Sequence, residues 1–308
     1  MDDTSNVTYI TLDGFVELQK YRYLCFVIMF MLYILIICCN FTIVCLIWIH
    51  KNLHEPMYIF IAALLLNSVL FSTNIYPKLL IDFLSEKQII SHSLCVFQAF
   101  IYYSVNGSEF LLLAAMSYDR YVSICKPLHY QTIMRKRTVS VFVVLAWTVP
   151  ACKMIVSAVL NGNIKLCNFI LKRLFCNNSF YKLQCLTSAA LTIYGVFLLL
   201  NLTILPLLFI LFSYTRILII SYRSCKSVRR KAAQTCLPHL LVLISFSCFL
   251  IYDVVIVKLE SNIPATSNVI MTLQMILYHP LLNPIIYGLK MKEIYRHLKK
   301  LVFHVTSN

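Results

Sequence analysis

Seven apolar stretches, each long enough to cross a lipid bilayer, limit what this chain can fold into more than any other feature. They run near Tyr23–Ile49, Met57–Leu84, His92–Cys125, Val139–Leu160, Ser188–Tyr222, Ala232–Val257 and Ser267–Leu289. A hydrocarbon core about 30 Å thick needs about 20 such residues in helical form. Apolar types make up 60% of the 308 residues and charged types 13%, with a mean hydropathy of +0.79. Soluble domains carry nearer about 45–50% and about 25%, so the two soluble domains that the length allows are excluded. Disorder is excluded as well, because 20 Phe and 19 Tyr are far too many aromatics for it. The expected fold class is an all-α membrane protein, a seven-transmembrane helix bundle with a short amphipathic C-terminal helix. That helix is read at Lys292–Val302, where Ile294, Leu298, Leu301 and Val302 recur at helical spacing among basic residues, a pattern that lies on a membrane surface.

The net charge of +15 raises nucleic-acid binding, and the placement of the charges removes it. With the N-terminus outside, 17 of the 27 basic residues fall in inner segments, which is the bias of Lys and Arg toward the cytoplasm. The expected organisation is an extracellular N-terminal tail over residues 1-22, the seven-transmembrane bundle over 23-289 and a cytoplasmic amphipathic helix and tail over 290-308, in a multi-pass plasma-membrane protein. Asp2, Asp3, Asp13 and Glu17 precede the first span, which argues against a basic-headed signal peptide there. Asn6-Val7-Thr8 in the outer segment is a glycosylation acceptor, and Asn177-Asn178-Ser179 is a weaker one. Only five glycines occur, with no phosphate-loop, zinc-protease or nucleophile-elbow pattern. The reading is therefore not an enzyme, with no cofactor and no metal site.

Of 13 cysteines, those inside apolar runs read as small packing residues. Four lie outside: Cys95 at the start of the third span, and Cys167, Cys176 and Cys185 before the fifth. An oxidising compartment lets them pair in three ways, and spacing does not choose among these.

The third span ends in Met116-Ser117-Tyr118-Asp119-Arg120-Tyr121-Val122-Ser123-Ile124-Cys125. On its own an acid–base pair at a helix end is a snorkelling pair. The whole block, however, resembles the M-A-Y-D-R-Y-V-A-I-C signature of the odorant receptors, a branch of the rhodopsin-like receptors coupled to G proteins, and departs only at Ser117 and Ser123. Leu53-His54-Glu55-Pro56-Met57-Tyr58-Ile59-Phe60 is similar to the family's L-H-x-P-M-Y-x-F, and Pro77-Lys78-Leu79-Leu80 to its P-K-M-L. Ser213-Tyr214 with Ile217 resembles S-Y-x-x-I. Residues 231–239, Lys-Ala-Ala-Gln-Thr-Cys-Leu-Pro-His, resemble K-A-x-x-T-C-x-x-H, and Asn283-Pro284-Ile285-Ile286-Tyr287 resembles N-P-x-x-Y. The likeness runs from about Asn40 to Lys292. The Phe-, Cys- and Ile-rich spans look closer to the branch found in fishes.

The resemblance implies the pairs Cys95–Cys176 and Cys167–Cys185, the first tying a loop over the bundle as a lid. It implies that a small-molecule odorant binds from outside and that a heterotrimeric G protein of the stimulatory, olfactory type is activated inside, raising cyclic AMP. The lipid bilayer is the third partner. The implied coupling and activation residues are Asp119, Arg120, Tyr121, Tyr214, Lys231, His239, Asn283, Pro284 and Tyr287. Arg120 is expected to pair with Asp119 at rest and to release toward Tyr214. An internal cation or proton site is implied at Asn40, Glu109 and Asn283. Related receptors add an aspartate on helix two, where this chain has Ser68 beside Asn67. Asp253 is the second acid inside a span. It either reaches toward water or contacts a ligand.

Helical turns of about 5.4 Å counted back from Arg120 place Tyr102, Tyr103, Asn106 and Gly107 four to five turns away, in the family's ligand-contacting region. Leu199 and Leu202 on the fifth span, Ser247, Leu250 and Val254 on the sixth, and Leu273 and Ile276 on the seventh would complete an apolar pocket of the kind small molecules occupy. The alternative is a rhodopsin-like receptor for a non-odorant small ligand or a peptide. An amine ligand is disfavoured, because Tyr102 stands where its counter-acid is expected. A transporter would show inverted repeats and interrupted helices, which are not visible here.

Overall fold

The computed structural model describes residues 8–162, 164–185, 189–222, 236–237, 239–248 and 265–306. Its long helices are α1 (Arg22–Ile49), α2 (Pro56–Leu84), α3 (His92–Cys125) and α4 (Lys136–Gly162). They are followed by α5 (Ala189–Tyr222), α6 (described over His239–Cys248), α7 (Ala265–Lys290) and α8 (Lys292–Thr306). Six of these match the expected spans to within a few residues, and the ends of the sixth span, expected at Ala232–Val257, lie outside the described residues. Five of them are long and apolar enough to cross a membrane by themselves: Leu18–Ile49, Pro56–Leu84, Lys136–Gly162, Ala189–Tyr222 and Val269–Lys290. With α3 and α6 they make the seven-helix transmembrane bundle. Its outer surface carries Trp48, Ile81, Ile193 and Phe212 exposed, as suits a lipid solvent in which only backbone groups must be satisfied internally.

The long third helix is the polar one, and it is central. It packs against α2, α4 and α5 and buries Asn106, Ser108, Glu109, Ser117, Asp119 and Arg120. Apolar neighbours form two buried clusters. One gathers Phe60, Leu64, Leu112, Met116, Ile210 and Tyr287 toward the α8 end. The other gathers Phe71, Tyr76, Tyr102, Phe175 and Ile276 toward the opposite end.

That opposite end is closed by a lid. Strand β1 (Tyr9–Leu12) pairs antiparallel with β2 (Ile89–Ser91), Ile10 facing Ile90, and parallel with β3 (Ile170–Leu171), Leu12 facing Leu171. Within the N-terminal segment read from sequence as a tail, Tyr9–Leu12 is thus an integral strand, with Ile10 and Leu12 buried and Tyr9 and Thr11 exposed. Gly14 lets the chain approach β3: a Cβ there would lie 2.6 Å from the Arg173 carbonyl carbon. Both expected disulfides are present, Cys95–Cys176 and Cys167–Cys185, with Cα separations of 5.3 and 4.7 Å. The Gln98 side chain accepts from the Cys176 backbone N–H at 3.0 Å and donates to the Asn74 carbonyl at 3.1 Å, so α2, α3 and the lid are laced together.

Proline shapes the helices. In α5 a π turn spans Leu200–Ile204, and the Leu205 N–H reaches back five residues to the Leu200 carbonyl. Pro206 comes directly after it and cannot donate to Leu202. The widened turn is a known way to absorb that loss. Two prolines, Pro280 and Pro284, sit inside α7. At its far end α7 gives way to α8, whose Ile294 is fully buried and whose Leu298 lies 3.3 Å from where a Gly288 Cβ would be. The basic side, with Lys292, Arg296, Lys299 and Lys300, remains outside together with Tyr295, and Leu301 is exposed as well.

Candidate functional site

At the α8 end of α3, Arg120 lies on Asp119. Its Nε donates to Oδ2 at 2.9 Å, and a second guanidinium nitrogen also contacts that oxygen. Asp119 is fully buried and Arg120 nearly so. The other carboxylate oxygen, Oδ1, accepts from the Tyr130 hydroxyl at 2.8 Å. Tyr130 stands in the short helical turn Tyr130–Ile133 after α3. Burial, then the charge and hydrogen bond of Asp119, push its phenol well above the usual tyrosine range, so it stays a donor throughout physiological pH. Sequence reasoning assigned no role to Tyr130, which lies 11 residues beyond Asp119 in the sequence.

Of the other residues expected at this end, Tyr214, His239 and Tyr287 are buried. Tyr214 of α5 is buried, its hydroxyl has no hydrogen-bond partner among the described residues, and it lies close enough to feel the charges of Arg120 and Asp119. His239 Nδ1 of α6 meets the Tyr287 hydroxyl of α7 at 3.3 Å. Both residues are fully buried. Tyr121 is half-buried on the far side of Arg120 in sequence. Lys231 lies outside the described residues. Four helices thus bring polar groups to one buried level: α3, α5, α6 and α7.

Midway along the bundle is a second polar cluster. Glu109 is fully buried. Its Oε2 accepts from Asn67 Nδ2 at 2.8 Å, and its Oε1 accepts from Asn283 Nδ2 at 3.1 Å. Asn283 Nδ2 also donates to Ser68 Oγ at 2.8 Å. The amide of Asn40, expected beside Glu109, donates to the Ile36 carbonyl at 2.8 Å and to the Pro280 carbonyl at 3.0 Å. The direction of that side chain is explained by Pro284, which leaves the Pro280 carbonyl without its helical donor. The structure brings His279 to the cluster, its Nε2 3.3 Å from Glu109 Oε1. An ionisable residue inside an apolar run is a functional-site signal, and His279 carries that signal in the sequence as plainly as Glu109.

Toward the lid, Tyr102 is fully buried among Phe71, Tyr103 and Phe175, with ring centroids 5.7, 4.9 and 5.3 Å away. Its hydroxyl lies 3.5 Å from Met275 Sδ. Tyr103 borders a cleft with Phe100, Met154, Asn161 and Phe180, between α3, α4 and the lid. Gly107 departs from the pocket reading, because a Cβ there would meet Pro150 at 3.0 Å and Leu202 at 3.4 Å. It sets the spacing of α3 against α4 and α5. Leu199 departs too. It is exposed while Leu202 is buried, and the π turn that begins at Leu200 re-aims the side chains beyond it. Ile276 is fully buried and Leu273 half-buried. Asn106 Nδ2 and Ser247 Oγ are buried polar atoms without partners among the described residues. Leu250, Val254 and Asp253 lie outside the described residues, as does Asn6.

A family model described as olfactory receptor matches residues 29–305. Similar proteins include human olfactory receptor 2T27, 31% identical over 96% of this chain and 93% of that one. Human olfactory receptor 2A5 is 33% identical over 99% of both chains. Mouse olfactory receptor 4M1 is 30% identical over 98% of this chain and 96% of its own. These relatives are receptors and not enzymes, and the chain belongs to the olfactory receptor family.

Proposed function

We propose that this chain is an odorant-activated receptor of the plasma membrane, with residues 1-22 extracellular, the bundle over 23-289 and α8 with its tail cytoplasmic. A small-molecule odorant enters between α3, α5, α6 and α7 beneath the lid and shifts the bundle between two packings. A ligand does this only by binding the two unequally. Asn106 and Ser247 serve as polar anchors, because buried polar atoms without partners are costly until a ligand satisfies them. Tyr102, Leu202, Leu273 and Ile276 supply apolar wall, with Leu250 and Val254 continuing it on the sixth span. The closed lid favours a small ligand over a peptide.

One observation carries the mechanism: the Tyr214 hydroxyl is buried without a partner among the described residues while Arg120 is held on Asp119. An unsatisfied buried hydroxyl costs about 1–3 kcal/mol. Release of Arg120 toward Tyr214 recovers that cost and offsets part of breaking a buried ion pair, about 3–5 kcal/mol. Odorant binding supplies the rest. The movement takes α6 outward, parting His239 from Tyr287, and opens a cleft for a stimulatory heterotrimeric G protein that raises cyclic AMP. Tyr121, Lys231 and the Asn283-Pro284 bend belong to the same rearrangement. Asn6 carries an N-linked glycan.

A screen of small odorants on cells expressing the chain, reading cyclic AMP, tests this reading. A responsive odorant is expected, and Arg120→Ala removes the response at unchanged surface expression. An undiminished response in Arg120→Ala would exclude the assigned switch.

A further inference from the structure

The family resemblance leads one to expect a cation at the Glu109 level, and the residues present do not fit one. A hard cation needs several oxygen ligands turned toward it. Here N–H groups are turned inward instead. Both Glu109 oxygens already accept amide N–H groups, from Asn67 at 2.8 Å and Asn283 at 3.1 Å. Ser68 Oγ accepts from Asn283 and donates to the Leu64 carbonyl at 3.2 Å. The place of a second carboxylate on α2 is taken by that serine.

The remaining neighbour is basic. His279 is buried, with its ring 5.0 Å from Phe71 and 4.7 Å from Phe246 between centroids. Apart from the approach of Nε2 to Glu109, neither ring nitrogen has a partner among the described residues. Other described residues facing the pair are uncharged: Asn67 and Ser68 from α2, Phe246 from α6 and Asn283 from α7. Tyr278 adjoins His279 in the sequence and is exposed, and the buried Tyr287 stands two turns along α7.

We propose that His279 is the built-in counter-charge of Glu109, so that the pair and one proton occupy the place of the cation and the receptor packs independently of sodium. The charge balance is the reason. A carboxylate with an imidazolium, or a carboxylic acid with an imidazole, is neutral. A sodium ion added to either would be an uncompensated buried charge, which an apolar interior does not tolerate. Removal of the imidazole leaves one negative charge and a ring-sized space beside it, and there a sodium ion becomes favourable.

The test uses the full-length receptor, purified, with thermal unfolding measured in sodium chloride and in choline chloride at equal ionic strength. Wild type should show the same melting temperature in both. His279→Ala should melt lower in choline and gain a saturable rise of a few degrees in sodium, since a ligand that binds only the folded state stabilises it by mass action. Adding Glu109→Gln should abolish that rise. A saturable sodium-dependent rise in wild type, lost in Glu109→Gln, overturns the proposal. Absence of a sodium response in His279→Ala overturns it as well. Should the alanine variant not fold, His279→Asn keeps a neutral polar side chain there and is read the same way, and the wild-type comparison stands by itself. Neither odorant nor G protein enters the measurement, so failure here leaves the receptor function untouched.

Discussion

The Asn40 amide donates at 3.0 Å to the carbonyl of Pro280, the one carbonyl in α7 that Pro284, four residues on, cannot serve. A proline inside a membrane helix is tolerated when a neighbouring helix satisfies the freed group. Here α1 does so with a fully buried side chain. Asn40→Ala should therefore cost about 1–3 kcal/mol, the penalty for a stranded buried acceptor. The check is the melting temperature of the purified receptor. A shift no larger than that of Asn201→Ala, whose half-buried amide bonds to Phe197 of its own helix, would remove this role from Asn40.

Tyr130 holds Asp119 from outside the bundle, and the bond it donates is to a charged acceptor, worth about 1.5–3 kcal/mol. Tyr130→Phe keeps the ring and deletes that bond. The loosened Asp119 should release Arg120 more readily, raising ligand-free cyclic AMP by about tenfold or more in cells matched for surface receptor, since each 1.4 kcal/mol is about a factor of ten. The raised phenol pKa, caused first by burial and then by Asp119, keeps the bond formed on the alkaline side of neutrality. Basal signalling of wild type should accordingly stay flat from neutral pH to pH about 9. A rise within that window, absent in Tyr130→Phe, would contradict the protonation state assigned.

Much of the architecture was legible because lipid imposes a simple rule, runs of about 20 apolar residues. The bounds read for α3, His92 to Cys125, coincide with those observed. The pairs Cys95–Cys176 and Cys167–Cys185 came through the family resemblance, since four cysteines alone left three choices. Strand β1 was missed because a four-residue strand, Tyr9–Leu12, gains its stability from partners about 80 and 160 residues away in sequence. Its alternation of exposed and buried residues was the available signal. The π turn in α5 was missed although Pro206 marks it. Gly107 was read as cavity lining by counting turns, and counting gives depth but not the neighbour a face meets. His279, a base inside an apolar run, carries the same ionisable signal as Glu109. Its burial beside Glu109 is a tertiary fact that no local pattern contains.

At the α8 end the rings of His50 and His297 are 3.9 Å apart between centroids, and His297 Nε2 lies 3.1 Å from Asn52 Nδ2. That geometry uses a neutral His297 with Nε2 as acceptor. Its pKa is lowered, by desolvation first and by His50 next. A folded-state pKa below the ordinary value means that the contribution is present above the ordinary histidine pKa of about 6.5 and is lost as pH falls below it. The site is largely exposed, so the effect is a local loosening of α8 and not unfolding of the bundle. Hydrogen exchange of α8 amides should speed up between pH about 7 and about 5.5, after correction for intrinsic rates. In His297→Gln that acceleration should be missing. Equal acceleration in the variant would assign the loosening to another group.

The lid depends on a single close approach. A Cβ on residue 14 would lie 2.6 Å from the Arg173 carbonyl carbon, 2.8 Å from its oxygen and 2.9 Å from the Leu174 nitrogen. All three are backbone atoms, held by the Cys95–Cys176 bridge nearby in the chain and by the bond from Arg173 Nε to Ser179 Oγ at 3.0 Å. They cannot rotate aside as a side-chain end would, so Gly14→Ala must push the N-terminal segment off β3. Overpacking of this kind costs about 1–3 kcal/mol. That is enough to detach a strand held on this side by pairs at Thr11–Ile170 and Leu12–Leu171. Limited proteolysis of the intact receptor should then cut between residues 8 and 21 several times faster in Gly14→Ala than in wild type, with the helices still protected. Equal cleavage rates would show that the segment is not anchored at Gly14.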